Sequence, residues 1–139
     1  MNHRTQFGFA LCAAFLQETG HFVGLIGLLQ TSFHAHFTPA VEIGWRLLPQ
    51  YWGQGLAPEG ARAALDYGFN TLELPEIVAF TTRQNRPSIR VMEKLGMRRC
   101  QSGDFEHPNL DEGHPLRPHV LYRICALDFA STHGTNHAG

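Results

Sequence analysis

Gln50-Tyr51-Trp52-Gly53-Gln54-Gly55-Leu56-Ala57 places two glycines at the mouth of a segment that reads as a helix. Such a turn offers free backbone N–H groups and the positive end of a helix dipole, which together suit an anion. Gly53 and Gly55 leave room for oxygen atoms to approach the main chain. No Gly-Lys-Ser/Thr follows, so this is not a Walker loop, and the third glycine of a dinucleotide fingerprint is missing. Taken alone, Gly-x-Gly is equally a tight turn without a ligand. Upstream stands Glu42, a carboxylate able to take a proton; about thirty residues beyond Gly55 come Asn85 and Ser88. His34 and His36 form a His-x-His pair, too few ligands for zinc. His107, His114 and His119 frame a proline-containing loop that either meets a substrate or is simply solvated. Cys12, Cys100 and Cys125 are odd in number and lack CxxC spacing, so reduced core thiols are expected rather than a disulfide framework.

The elements that must position these groups follow from the hydrophobic pattern. Two apolar runs, Phe7–Leu16 and Phe22–Leu29, are joined by a Thr-Gly turn and predict a hairpin. The first run resembles the apolar part of a signal peptide, but the second run directly after it favours a strand pair. Thr31–Pro39 reads as a polar, histidine-containing loop. Val41–Leu48 is a third strand, stopped by Pro49, which has no N–H to donate. Pro58 and Glu59 suit a first helical turn. Ala61, Ala64, Leu65, Gly68, Phe69 and Leu72 then form one stripe of a helix over 56–73, small enough in places to sit close to a sheet. Ile77–Thr82 is a buried strand. Pro87 begins a second helix that Gly96 ends. Met97–Gln101 is a short strand, Ser102–Pro118 a long loop, and His119–Ile124 the last strand. This order is α/β (α+β), a mixed sheet with at least one parallel crossover.

The chain has 139 residues, 43% hydrophobic and 17% charged, with a formal net charge of -1. That length suits one domain. Near-neutral charge with scattered Lys and Arg argues against a nucleic-acid partner held by bulk charge. Neither apolar run reaches the roughly 18–20 residues of a membrane span, so no membrane partner is expected and the chain reads as cytoplasmic. Residues 1–127 form the expected domain and 128–139 a disordered tail.

Gln50-x-x-Gly53-x-Gly55-x-Ala57 directly after a strand resembles the pyrophosphate loop of the GCN5-related N-acetyltransferases (GNAT). Asn85-x-x-Ser88, followed by a helix ending Lys94-Leu95-Gly96-Met97, resembles that family's second coenzyme motif. The strand Val41–Leu48 and its loop resemble the branch that acetylates ribosomal-protein N-termini. The resemblance implies acetyl-CoA as co-substrate and no metal. It places pyrophosphate at Gly53, Gln54, Gly55, Leu56 and Ala57, beside Gln50, with the pantetheine arm paired to backbone at Leu47 and Leu48. Gln54 stands where Lys or Arg is common, so one positive charge is absent. Asn85 and Ser88 are implied coenzyme contacts. Tyr51 and Trp52 either cover the loop or pack beneath it.

Acetyl transfer by direct attack needs a base for the amine, donors for the thioester carbonyl and an acid for the leaving thiolate. Glu42 is the expected base, with a plain surface carboxylate as the alternative. Ser88 is a candidate acid, equally an ordinary first-turn serine, because Met92 stands where many relatives carry tyrosine. The partner implied is an amine-bearing acceptor, either a small molecule or a protein N-terminus. Relatives begin with a strand and two helices absent here, so the fold is expected as an N-terminally shortened GNAT-like sheet with helices on its faces. With its hairpin uncovered, the chain is expected to self-associate, as a homodimer for instance, or to be unstable alone. The alternative function is an inactive acyl-CoA-binding or interaction module.

Overall fold

The computed structural model describes residues 11–132. Along the chain run β1 (Leu11–Phe15), β2 (Phe22–Gln30), β3 (Val41–Leu47), a single 3-10 turn (Pro49–Tyr51), α1 (Leu56–Asn70), β4 (Glu76–Thr82), α2 (Arg86–Lys94), β5 (Arg98–Arg99), β6 (Phe105–Glu106), β7 (Pro118–Cys125) and α3 (Ala126–Thr132). The strands form one mixed sheet in the order β1-β2-β3-β4-β7-β5, with β6 also beside β7. Every pairing is antiparallel except β3 with β4, whose connection crosses over through α1. This is the mixed α/β architecture expected from the element order.

That one parallel pairing is also the shortest on the long strands. β3 and β4 meet in register only at Glu42 and Val78. Beyond that point nothing bridges them, and the sheet parts towards the C-terminal ends of both strands.

All three helices cover one face. Ala61, Leu65 and Phe69 of α1, Met92 of α2 and Phe129 of α3 share a core with Leu28, Ile43, Ile77, Ala79, Val120, Tyr122 and Ile124 of the sheet. The apolar stripe of α1 makes this close approach workable. A Cβ on Gly68 would lie 2.7 Å from Ile77 Cδ1 and 3.0 Å from Leu28 Cδ1, so glycine sets the helix-to-sheet distance. α1 ends at Asn70 rather than at 73. The N–H groups of Thr71 and Leu72 both turn back to the Tyr67 carbonyl, and that of Leu74 to Gly68.

Three expectations shift at element boundaries. The tail expected to be disordered from 128 begins instead as α3, because Phe129 is buried against Phe69 with ring centroids 5.2 Å apart; residues 133–139 lie outside the described residues. The long loop after β5 contains β6, paired to β7 through Phe105 and Glu106. Of the first hairpin run, Phe7–Ala10 lies outside the described residues, and the remainder pairs with β2 through a bulge between Ala14 and Phe15.

Candidate active site

Where β3 and β4 part, a cleft of about 590 Å³ opens. One wall is Ile43–Leu47 of β3, the other Phe80 and Thr81 of β4 with the N-terminal half of α2. Its floor at the far end is the Gly53–Pro58 turn. Of the expected site residues, Leu47, Gly53, Gly55, Leu56, Ala57, Asn85 and Ser88 line this cleft. Two motifs about thirty residues apart in sequence therefore meet in one cavity.

The turn is built by backbone conformation. Gly53 and Gly55 have φ of 76° and 78°, the left-handed region that costs a non-glycine residue about 1–2 kcal/mol. A Cβ at either position would meet no atom within 4 Å, so the space beside both is open to a ligand. Gly55 is the N-cap of α1 and supplies no side-chain cap, which leaves the first amides of the helix, Leu56 and Ala57, to an outside acceptor. Gln54 does not reach into the cleft: its Nε2 donates to the Gln50 carbonyl at 3.0 Å and closes the turn, and Gln50 is itself exposed. Trp52 Nε1 donates to the Leu47 carbonyl at 2.9 Å, so the indole braces β3 against the turn.

Leu48 is the site residue whose expected role the structure corrects. Its N–H donates to Val23 and its carbonyl accepts from Tyr51, so neither faces the cleft. The Leu48–Val23 bond sets the alternation of the ladder. Arg46 and Leu48 turn their backbone to β2, while Trp45 and Leu47 turn theirs to the cleft. Asn85 is likewise engaged within the chain: its Oδ1 accepts the Ser88 N–H at 3.3 Å as the cap of α2, and its Nδ2 donates to Thr81 Oγ1 at 2.9 Å. These bonds order the wall of the cleft.

Glu42 sits at the point where the strands part, one residue before the lined wall begins. Ile43 and Trp45 pack towards the helices, so alternation sends Glu42 to the opposite face. The carboxylate is half-buried and accepts a hydrogen bond from Thr31 Oγ1 at 3.1 Å. Burial raises its pKa above the usual 4.5, and the Thr31 donor partly opposes that rise. A carboxylate held above its ordinary value by desolvation is a better base than a solvated one.

On the same face lies a group of rings that the sequence reading took for polar loops. Phe33 and Phe37, from the loop between β2 and β3, pack on Phe80 of β4 and Phe105 of β6. His107 and His119 complete it, with ring centroids 5.0 Å apart. Burial, and then the neighbouring His119, lower the pKa of His107 below the ordinary histidine value. His36 binds the Gly103 carbonyl at 3.0 Å and ties the two loops together. The remaining sequence candidates are elsewhere. His114 is exposed, and the cysteines are half-buried and not in the cleft. Met92 is fully buried where it meets the cleft wall, and Tyr122 lies in the helix-side core.

The sequence reading also missed Arg90 and Lys94, which line the cleft from α2. Their spacing of four, one helical turn, was the available signal. They provide positive charge in the cavity whose loop lacks it at Gln54.

Residues 1–98 match the family model described as the acetyltransferase (GNAT) domain. The chain belongs to the GNAT acetyltransferase family. It is similar to the uncharacterized protein YkkB of Bacillus subtilis, 38% identical over 91 residues that cover 66% of this chain and 52% of the relative. It is also similar to the spermidine N(1)-acetyltransferase of Escherichia coli K12, 34% identical over 77 residues, 55% of this chain and 40% of that one. Among solved structures, a GNAT-family acetyltransferase from Bacillus anthracis superposes with a TM-score of 0.67 at 35% identity, covering 83% of this chain and 65% of the other. The chain thus spans between about a third and a half of the curated relatives it matches.

Proposed function

We propose that this chain is an acetyl-CoA-dependent N-acetyltransferase that moves an acetyl group to a primary amine by direct attack. The observation that carries the reading is the cleft itself: parted strands lead from a half-buried carboxylate to a glycine turn with open space at both glycines. At 3.3 Å per residue the strand from Glu42 to Leu48 covers roughly 20 Å, so a ligand reaching both ends must be long and extended. Acetyl-CoA is such a ligand. The amides of Gly53, Gly55, Leu56 and Ala57 would take its pyrophosphate, with Arg90 and Lys94 adding charge. The backbone of Trp45 and the N–H of Leu47 would pair with the pantetheine arm, and the thioester end would lie near Glu42. Glu42 accepts the proton of the attacking amine. Ser88 is placed on the cleft wall and is the candidate donor to the thiolate.

One observation favours a second reading, a binding module without turnover. Met92 fills the place where many relatives carry an acidic tyrosine, and Tyr122 points into the core instead. The finer assignment, to the ribosomal-protein branch with a protein N-terminus as acceptor, rests on the residues of β3 and its loop. A single experiment separates the readings: calorimetry with acetyl-CoA, followed by thiol release across a panel of amines and N-terminal peptides. Micromolar binding with thiol release supports the enzyme. Binding with none supports the module, and absence of binding overturns both.

A further inference from the structure

We propose that the rings on the face of the sheet opposite the described helices form the acceptor pocket, and that the acceptor is a primary amine carrying one ammonium on an aromatic body, an arylalkylamine. This deepens the acetyl-transfer reading and rests on it.

Six rings from separate parts of the chain converge there. Phe33 meets His107 at 4.4 Å between centroids, Phe37 meets Phe105 at 5.0 Å, and Phe80 touches Phe33, Phe37, Phe105, His107 and His119. Most contacts are edge-to-face or tilted, the geometry a further ring can extend. A closed mini-core would hide these rings, yet all except His119 remain partly exposed. Phe80 is also part of the cleft wall, so the ring cluster and the coenzyme cleft share a residue. Glu42 projects from β3 on the same face, where the strands part. A flat apolar body among the rings would therefore present its amine towards Glu42.

Charge selects the class of amine. The carboxylates on either side of Phe105 are already neutralised: Asp104 is held by Arg83 and Arg99, and Glu106 by Arg117. A polyamine brings several ammonium groups, and each needs an uncommitted carboxylate or water to offset its desolvation. Glu42 serves one amine, and the phenyl rings add only a weak cation–π attraction.

The test compares 2-phenylethylamine with spermidine at saturating acetyl-CoA, using this chain and its Phe33→Leu and Phe37→Leu variants. Two loop variants are used so that a folding defect in one, seen by circular dichroism, leaves the other informative. The expected result is kcat/KM at least tenfold higher for phenylethylamine. Each variant should lose about tenfold on that amine, with little change on a small alkyl amine and none in acetyl-CoA affinity. A preference for spermidine, or equal losses on both amines, overturns the pocket while leaving acetyl transfer standing. If no amine turns over, calorimetry on the coenzyme-saturated protein decides. Saturable phenylethylamine binding that the variants weaken upholds the pocket, and absence of binding overturns it. Loss of acetyl-CoA binding by the unmodified chain, in contrast, defeats the acetyl-transfer reading on which the pocket depends.

Discussion

Glu42 is a carboxylate whose surroundings pull in opposite directions: burial raises its pKa and the Thr31 hydroxyl lowers it. Two outcomes follow for catalysis. Glu42→Gln should lower turnover about a hundredfold or more and leave acetyl-CoA affinity nearly intact. The acid limb of kcat/KM should lie above pH 4.5, and Thr31→Val, which removes the donor, should move it to higher pH. A limb that stays put in Thr31→Val removes Glu42 as the titrating base. For stability the sign is set by the raised pKa. The folded chain holds this proton more tightly than the unfolded one, so between 4.5 and the folded value stability falls as pH rises. Glu42→Gln should flatten that slope in urea melts. At the turn, Gly55→Val should weaken acetyl-CoA binding at least tenfold, about 1.4 kcal/mol. Because valine also strains the left-handed backbone, Gly55→Asn is the cleaner probe, since asparagine tolerates that conformation. Weaker binding in both, with the Asn variant melting normally, locates the ligand at the main chain. Unchanged affinity in both makes the turn purely structural.

At the scale of elements, α1 and α2 divide the work. α1 must lie close to the sheet for its N-terminus to close the cleft, and Gly68 permits that. Gly68→Val should meet Ile77 and Leu28, lowering stability by about 1–3 kcal/mol in urea unfolding. α2 carries charge to the cleft through Arg90 and Lys94. The double change Arg90→Gln with Lys94→Gln should weaken acetyl-CoA about tenfold and flatten the salt dependence of binding, because screened attraction is what is lost. A salt dependence identical to that of the unmodified chain would assign the phosphates to the backbone alone.

For the whole molecule, the described part of the hairpin leaves less apolar surface uncovered than its composition suggests. Val23, Ile26 and Leu28 of β2 are buried, while Phe15 at 58% and Phe22 at 42% are exposed and form an edge-to-face pair 5.7 Å apart. We still expect the 139-residue chain to self-associate, now with this pair at the contact. In sedimentation, Phe15→Ser with Phe22→Ser should shift the chain to the smaller species. A monomer at high micromolar concentration before any change would remove the contact from consideration.

Local rules were enough to read the glycine turn, the stripe of α1 and the proline and glycine that bound α2, because caps and periodicity act within a few residues. They were also enough to put Glu42 on a strand and Asn85 at a turn. What Leu48 does with its N–H was not legible, since its partner Val23 is set by strand register, whereas Asn85 bonds within four residues, to Thr81 and Ser88. The loop after β2 read as polar because its histidines are close in sequence. Phe33 and Phe37 became a surface only when β4, β6 and β7 brought Phe80, Phe105, His107 and His119 beneath them. Phe129 likewise looked like tail until α1 offered Phe69. By itself, then, the order of residues determined the elements, the mixed α/β class and the glycine turn. Tertiary structure alone decided which side chains share the cleft, where the strands part and how far Glu42 is desolvated. Those depend on contacts between residues distant in sequence, which no local pattern encodes.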